Sequence, residues 1–518
     1  MKIRSRALAS VAIVAMIAGA AAPAWAETLQ DAIALAYQTN PTLLAQRANQ
    51  RALDETVVQA RSGLRPTLSA GVSATYSRTD GPDSPAEEGF DLNGDGDFDD
   101  AFEREPVPAS EGIVHSRTGS VSLNLSQNLW TAGRVALGID SAQAGVLQGR
   151  ETLREVEQQV LVSVISAYVS VVRDMDILRI RQENLGVLQR QLEEASARFE
   201  VGEITRTDVA QAEARLAQSE ADLSSAQAQL STSRATYAAV IGQAPGTLEA
   251  APALPIVPTD FDDALDIALA ENPGLLAAGY NLRGAELAVA SARAEYRPSA
   301  RITSSFGGSD SLRSFTLEDN NNFTTTASVS IPLFTGGLNA SRVAQALEQA
   351  NAAQIGVEGE RRSVLQTVSA YYAQVISSRA TVQAGEEAVR AATVAAEGVR
   401  QEAQVGLRTT LDVLNQELEL RSAQVTLASA RASQYVSTAQ LLASMGRLEG
   451  PALSPSIERY DPEANFNRVR NRGALPWDGV VEGLDRVLSP AVVPANDAAD
   501  APIDTQLKGE VIQTAPRD

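Results

Sequence analysis

Two kinds of hydrophobic pattern alternate along this chain, and each of them occurs in both halves of it. The first is a period of two, in which Leu68, Ala70 and Val72 alternate with small polar or hydroxylated residues. This pattern is typical of a β-strand with one apolar and one wet face, and runs of about 8 to 11 residues fit tilted strands that cross a membrane. We predict such strands at about residues 67–77, 118–129, 299–307 and 324–334.

The second pattern is a seven-residue apolar repeat within long segments that lack proline. Val164, Val171 and Leu178 begin one such ladder, which continues to Phe199. A sustained period of seven is typical of paired helices with left-handed supercoiling, and by itself most often indicates a plain coiled coil. At 1.5 Å per residue, the longest helices reach about 100 Å. We predict long helices at about residues 134–200, 207–241, 338–404 and 410–445.

Both patterns recur because the chain is internally duplicated, with residues 28–242 repeated as residues 261–446. Asn40-Pro41 matches Asn272-Pro273 at an offset of 232, whereas the register beyond the strands has an offset of 204. The first copy therefore carries 28 extra residues between its strands, in a long outward loop expected at 78–117. Repeats of this size are too large for solenoid units and indicate two equivalent structural halves.

The N-terminus indicates export. Lys2, Arg4 and Arg6 precede an apolar run that ends in Ala24-Trp25-Ala26, which is typical of a cleaved signal peptide. Because the chain has no cysteine, we expect neither a disulfide framework nor a lipid-anchored N-terminus. The predicted organisation is a signal peptide at 1–26, a first repeat at 27–242, an equatorial linker at 243–260, a second repeat at 261–446, and an equatorial segment with a flexible acidic tail at 447–518.

Four strands cannot cross a bilayer alone, because the edges of an open sheet would leave backbone groups unsatisfied at several kcal/mol each. Two copies would give 8 strands, whose side chains fill the interior, whereas three would give 12 strands and an open lumen. The predicted fold class is mainly α with transmembrane β. The duplicated protomer gives four strands of a trimeric 12-stranded β-barrel, continued by a long periplasmic α-helical coiled-coil barrel. The alternative is four half-buried strands of a soluble sheet.

Charge and composition exclude two other classes of function. The net charge of −21 argues against nucleic-acid binding, which needs a basic face. The chain has one histidine, His115, and no cysteine, so it offers neither a zinc cluster nor a nucleophile with a convincing base. We therefore expect no enzymatic activity.

The outward loop contains an acidic segment that resembles part of a calcium-binding loop. Its position 12 is Phe102 rather than the usual glutamate, so the match is partial. A solvated acidic surface loop is the alternative, and an equilibrium calcium titration distinguishes the two. The possible calcium ligands are Asp91, Asn93, Asp95 and Asp97.

A short turn joins the two long helices of each repeat. Gly202 and Gly406 are suited to ending the first helix of each pair. Thr207 or Asp208 in one turn, and Thr410 or Asp412 in the other, can cap or charge the start of the returning helix. Helix capping alone is sufficient to explain these residues.

In combination, these features resemble the TolC-like outer-membrane efflux protein family over residues 28–446. They are the duplicated strands, the Asn-Pro and Arg-Pro breaks, Leu333-Phe334-Thr335-Gly336-Gly337 and the paired Val-Gly turns. The resemblance implies a passive homotrimeric exit duct in the outer membrane of a Gram-negative bacterium, extending into the periplasm. Its implied partners are a periplasmic adaptor (a membrane fusion protein), an inner-membrane ABC exporter or proton-driven efflux pump, and the lipid of the outer membrane.

Within this function, the long acidic loop slightly favours type I protein secretion over small-molecule efflux. The alternative from another class is a trimeric structural envelope protein or adhesin with a coiled-coil stalk.

The resemblance also assigns roles to the turns. Thr207, Asp208 and Arg408 match residues that link the tips and close the tunnel, and Asp412 matches an acidic ring whose like charges raise its pKa. Asn415 replaces a second aspartate, and Ala403 replaces a tip tyrosine, so we expect fewer closing bonds and a less acidic constriction. The implied adaptor-docking residues are Val201, Gly202, Glu203, Val405, Gly406 and Leu407.

Overall fold

The two repeats contain the same elements in the same order: two shorter helices, two strands and two long helices. The computed structural model describes residues 27–81, 85–90, 96–98, 102, 104–109, 113–313, 321–455 and 457–495. The first repeat consists of α1 (Leu29–Thr39), α2 (Pro41–Ser62), β1 (Thr67–Asp80), β2 (Ile113–Trp130), α3 (Arg134–Glu200) and α4 (Arg206–Ile241). The second consists of α5 (Phe261–Glu271), α6 (Pro273–Ala294), β3 (Ser299–Ser311), β4 (Asn321–Ser330), α7 (Leu338–Gln404) and α8 (Thr410–Ser444). They are followed by α9 (Gly450–Leu453), α10 (Pro462–Val469) and α11 (Asp478–Asp485).

The four strands lie where they were expected, but most of their ends differ, and β3 extends to Ser311 while β4 begins at Asn321. β1 and β2 extend beyond the alternating pattern, with Ser77 to Asp80 paired to Ser116 to Ile113, because a hairpin ladder continues without an apolar face. β4 ends at Ser330, so Ile331 and Leu333 lie outside the strand. Pro332 explains this end, since proline has no N–H to donate to a ladder.

Among the described residues, no helix is both long and apolar enough to cross a membrane.

The protomer is a wall of four columns, each with a strand above and helices below. The strands form one antiparallel sheet in the order β1, β2, β3, β4. α3 packs against α2 and α4, and also against α6 and α8, while α7 packs against α6 and α8. The columns are therefore α2 with α4, then α3, then α6 with α8, then α7. Their order is the order of the strands to which they are joined.

Two asparagines join the short and long helices of the composite columns end to end. Asn40 accepts hydrogen bonds from the backbone N–H groups of Thr42 (3.0 Å) and Leu43 (3.3 Å), which caps α2. Its Nδ2 donates to the carbonyl of Val240 (2.9 Å) in the last turn of α4. Asn272 does the same in the second repeat, between Leu275 N–H (3.0 Å) and the carbonyl of Ser444 (2.9 Å). One amide side chain thus satisfies unpaired groups of two helix ends at once.

The largest core lies near the middle of the helical columns, where α1 and α5 pack against the long helices. We call this level the equator. Tyr168 and its repeat equivalent Tyr372 are buried there and donate to equatorial carbonyls, Tyr168 to Glu27 (2.9 Å) and Glu249 (2.8 Å) and Tyr372 to Thr259 (2.5 Å). Burial raises the pKa of Tyr168 to about 12, so its hydroxyl stays a donor at all physiological pH values. These hydroxyls tie the irregular equatorial segments to the helical wall.

The segment after Gly446 is more ordered than expected. Residues 457–495, hereafter the C-terminal strap, contain α10 and α11 and cross the wall below the sheet. α10 packs on α2, Val492 packs against α3 and α6, and the N–H of Ala495 donates to Glu286 on α6 (3.1 Å). These contacts hold residues 457–495 against the helices, so the flexible acidic tail expected at the end of the chain does not include them. Residues 496–518 lie outside the described part of the chain.

Asp485 on the C-terminal strap caps the start of α3. Its carboxylate is fully buried and accepts from Thr131 N–H, from Thr131 Oγ1 (2.8 Å) and from Ala136 N–H (3.1 Å). The N-cap residue itself, Gly133, has no side chain to do this. Arg486 adds a bidentate pair to Asp140, with both distances 2.9 Å. The strap therefore fastens the joint between β2 and the tunnel helix.

We expect Asp485→Ala to destabilise the protein by about 1–3 kcal/mol, because it leaves buried backbone donors without an acceptor. Urea unfolding in detergent, followed by circular dichroism, measures this loss. Asp461→Ala is the matched control, since Asp461 caps α10 through Glu463 N–H (2.8 Å) at an exposed position. The control should cost about 0.5–1 kcal/mol. Equal effects of the two variants would contradict the capping role of Asp485.

Candidate functional site at the helix-pair tips

Each pair of long helices is joined by a turn of the same geometry. Gly202 and Gly406 both have φ of +79°, the left-handed conformation that glycine adopts without strain. The N–H of Glu203 donates to the carbonyl of Arg198 (2.9 Å), and the N–H of Leu407 donates to that of Glu402 (2.9 Å). These long bonds over a left-handed glycine are a Schellman motif, which satisfies the last carbonyls of the helix. The glycines therefore end α3 and α7, as their sequence position suggests.

The returning helices are capped by residues that the sequence analysis did not name. Thr205 and Thr409 are the N-caps of α4 and α8, so of the expected alternatives Asp208 and Asp412 take part in capping, and Thr207 and Thr410 are not the N-caps. Asp208 completes a capping box, since it accepts from Thr205 N–H (2.9 Å) while its own N–H donates to Thr205 Oγ1 (3.4 Å). The same box joins Asp412 to Thr409. The Thr-x-x-Asp spacing is the sequence signal that identifies this frame.

The capping box also determines the charge of the two aspartates. The pKa of Asp208 is lowered by the hydrogen bonds from the side chain and the backbone of Thr205. The pKa of Asp412 is lowered by those from the backbone and side chain of Thr409. Within one chain, the shift of Asp412 is thus opposite to the increase expected for an acidic ring. Like-charge repulsion of that kind requires the carboxylates of other copies.

Arg408 has a partner in its own turn. Its Nε lies 2.8 Å from Glu402 Oε2, both side chains are about half exposed, and the pair raises the pKa of Arg408. Within one chain, the structure joins Arg408 neither to Thr207, which is exposed, nor to Asp208. An exposed ion pair contributes only about 0–1 kcal/mol. Arg408 can therefore exchange Glu402 for another carboxylate at little cost.

Asn415 links the two helix pairs. Its Oδ1 accepts from Nη2 of Arg215 on α4 (3.0 Å). An aspartate at this position would form a charged pair with the same arginine. Compared with such an aspartate, Asn415 makes a weaker contact between α4 and α8 and carries no negative charge.

A buried ion pair above the tips was not anticipated. Glu417 on α8 is 1% exposed, and its carboxylate accepts from Arg400 Nε on α7 (2.6 Å). Glu417 follows Val413 by four residues and precedes Leu420 by three, so it lies on the helix face that carries this apolar ladder. A charged residue at such a position is the signal that could have identified it, because a buried carboxylate needs a paired cation. The pair fixes the register of α7 against α8 close to the tip.

The outer surface of the turns is unusually apolar for a tip that contacts water. Val201 and Val405 are 72% and 71% exposed, and Leu407 is 75% exposed. Glu203 beside them is also exposed and pairs with Arg198 (3.1 Å). Each tip thus presents one or two apolar side chains next to a charged pair. The role of these residues in adaptor docking stays a prediction.

The possible calcium ligands Asp91, Asn93 and Asp95 lie outside the described residues, whereas Asp97 is inside them. Gly96 has φ of +87°, which agrees with the sharp turn at position 6 of a calcium loop. No group of three or more potential metal ligands occurs in the parts of the chain that the structure describes. Calcium binding therefore stays a prediction.

The chain matches the family model for outer membrane efflux proteins over residues 32–243 and 264–447, which are the two repeats. It is 31% identical to the outer membrane efflux protein BepC of Brucella suis, over 88% of this chain and 92% of the relative. It is 26% identical to the outer membrane protein TolC of Escherichia coli, over 82% and 83% of the two chains. It is also 26% identical to the alkaline protease secretion protein AprF of Pseudomonas aeruginosa, over 59% and 65%.

The fold agrees with a solved structure. The CmeC outer membrane channel of Campylobacter jejuni superposes with a TM-score of 0.68, at 14% identity, over 86% of this chain and 89% of that one. The resemblance to TolC-like proteins is thereby confirmed, as are the mainly helical fold with a small antiparallel sheet and the location in the outer membrane with a periplasmic extension. The protein is a channel and not an enzyme, and it belongs to the outer membrane efflux protein family.

Proposed function

We propose that three copies of this chain form the exit duct of a tripartite transporter. The observation that supports this most strongly is that the sheet and the row of helical columns below it both lack a neighbour on the same two sides. β1 and β4 are the sheet edges, and every residue of either strand is exposed. The column below β1 and the column below β4 are also the outer ones. A neighbouring copy placed beside this one therefore pairs with the edge strand and packs against the outer helices at the same time.

The number of copies follows from the requirement for a lumen. Closing the sheet with three copies gives 12 strands, whereas two copies give 8 and an interior filled by side chains. Below the membrane, α7 of one copy then lies against α2 and α4 of the next. This continues the barrel as a helical tunnel.

The tips are the proposed site for the periplasmic adaptor. Val201, Val405 and Leu407 supply exposed apolar contacts, and Gly202 and Gly406 keep the turns tight beside them. An inner-membrane pump supplies the energy, since transport through a passive duct needs an external drive. Glu203 completes the proposed docking surface.

Purified protein in a planar bilayer should show discrete single-channel conductance, and light scattering in detergent should give the mass of a trimer. The physical reason is that only a closed set of strands satisfies the sheet edges and leaves a water-filled lumen. A membrane that stays sealed at all voltages, with a protein that is still trimeric, would instead favour the structural spacer or adhesin. A monomer that is soluble without detergent would contradict both.

We further propose that Arg408 helps to close the tunnel across copies. In the proposed trimer, the turn between α7 and α8 lies beside the start of the neighbour's α4, where Thr207 and Asp208 are located. Asp412 and Asn415 lie on α8, just after the turn that holds Arg408, and face the proposed constriction. Because Arg408 is held in its own chain only by an exposed pair with Glu402, it can bind Asp208 of the next copy.

Arg408→Ser should therefore raise the conductance of the free trimer, because it removes a contact that holds the tips together. Arg390→Ser is the matched control, since Arg390 forms an exposed pair with Glu387 on α7 (2.9 Å), away from both turns. Single-channel recording of both variants measures the effect. Equal conductance of wild type and Arg408→Ser would show that other contacts close the tunnel.

For the cargo, we propose protein export through a type I secretion system, with small-molecule efflux as the second candidate. The alkaline protease secretion relative and the long outward insertion support the first. The efflux relative, which is more similar and matches more of the chain, supports the second.

A strain that lacks the gene, compared with its parent and with the same strain carrying a restored copy, distinguishes the two cargoes. Loss of a secreted protein from the medium with unchanged drug susceptibility is the result expected for secretion. Increased drug susceptibility with an unchanged set of secreted proteins would contradict that proposal and support efflux.

A further inference from the structure

Helix α11 on the C-terminal strap has its polar and apolar faces reversed relative to a helix on a water-exposed surface. Its acidic residues are directed at the protein: Asp478 pairs with Arg65 (2.9 Å), and Asp485 caps α3. Two of its apolar residues are directed outward, with Val480 74% and Leu484 50% exposed. Such an arrangement is unfavourable in water, because it exposes apolar surface while it buries charge.

The exposed apolar residues form one continuous stripe. Trp477, Val480, Leu484 and Val487 are separated by three, four and three residues, so they lie on one face of the helical turn. All four are between 48% and 74% exposed, and Leu488 extends the stripe at 65% exposure. We call these five residues the α11 stripe. The charged pairs on the opposite face hold it in place, so its exposure is a fixed feature of the fold.

The α11 stripe lies at the foot of the sheet. Arg65, which holds Asp478, is two residues before the start of β1. Trp130 is the last residue of β2, and its Nε1 donates to the carbonyl of Val487 (2.9 Å). By contrast, α10 is held much lower, since Glu463 pairs with Arg150, 16 residues or about 24 Å along α3.

A β-bulge places this contact on the apolar face of the sheet. Leu125 is paired with Leu68 on β1 and with Ser304 on β3, so these three residues share one face. The register shifts between Asn128 and Trp130, and Trp130 is then paired with Ala300, which is on the same face as Ser304. The bulge thus turns the indole of Trp130 to the side of the sheet that carries Leu68 and Leu125.

We propose that the α11 stripe inserts into the phospholipid interface at the periplasmic surface of the outer membrane. This inference rests on the proposed membrane insertion of the strands, and it identifies a lipid contact below them. An interfacial helix with a tryptophan at its start suits this boundary, because the indole ring combines an apolar body with a polar N–H. The stripe is continuous with the apolar face of the strands, which is the face that meets lipid.

A second copy of the chain is a less suitable occupant. α11 packs against β2 and α3, which belong to the second column, whereas the open ends of the wall are at β1 and β4. A neighbour that pairs with those edges does not cover the second column. The strap thus anchors the top of the tunnel to the membrane surface.

The absence of cysteine allows a direct test with single spin labels on the full-length protein reconstituted into phospholipid vesicles. Labels at Val480→Cys, Leu68→Cys and Ala464→Cys report on the α11 stripe, the lipid face of β1 and the exposed surface of α10 on the same strap. Power saturation compares access to dissolved oxygen, which partitions into lipid, with access to a water-soluble nickel complex.

The ratio of oxygen to nickel access at Val480→Cys should shift away from that of Ala464→Cys and toward that of Leu68→Cys. An aqueous ratio at Val480→Cys, with a lipid ratio at Leu68→Cys, would overturn the lipid contact alone. Shielding of Val480→Cys from both reagents would also overturn it, because protein and not lipid would then cover the stripe. An aqueous ratio at Leu68→Cys would refute the membrane insertion on which the proposal rests.

Discussion

The whole assembly depends on the need of every backbone N–H and C=O group for a partner where no water is present. Within one chain, β2 and β3 meet this requirement and β1 and β4 do not, since each is paired on one side only. The helical layer has the same open ends, because every column continues a strand. Closure of the sheet in the membrane thus determines closure of the tunnel in the periplasm, and a lumen passes through both.

The long columns depend on a second use of the same principle, at helix ends. Asn40 and Asn272 each satisfy one helix start and one helix end, so that two helices act as a single strut. Asp485 satisfies the start of α3 alone. The N-cap residue of that helix is a glycine, so its capping carboxylate comes from the strap. Among the described residues no carboxylate caps α7, and there Asn339 Nδ2 donates to the carbonyl of Glu295 just after α6 (3.0 Å). The two repeats are alike in topology and different in how their upper joints are held.

Much of this architecture can be predicted from local periodicity. The ladder through Val164 and Val171 gives a helix whose observed range is Arg134–Glu200, because heptad spacing and the absence of proline act over adjacent turns. The strap could not be predicted in this way, since Asp485 binds a residue 354 positions earlier in the chain. The capping frame at Thr205 has a weaker local signal: several hydroxyl and acidic residues lie close together in the turn, and the Thr-x-x-Asp spacing alone distinguishes Thr205 from Thr207. Contacts of Arg408 and Asp412 between copies depend on neighbouring chains, so no property of one sequence segment determines them.

Disulfide trapping between the edge strands tests the central claim most directly. With one cysteine at Ser69 on β1 and a second placed in turn from Asn322 to Ser330 on β4, the two sites of one chain are separated by three strand spacings, about 14 Å. A disulfide spans at most about 7 Å between Cα atoms, so it can form only between copies. After mild oxidation in membranes, the account predicts covalent trimers for the few neighbouring β4 positions that lie opposite Ser69 of the next copy. It predicts none at the other β4 positions. Chains that remain monomeric at every position, although the protein is inserted and folded, would contradict it.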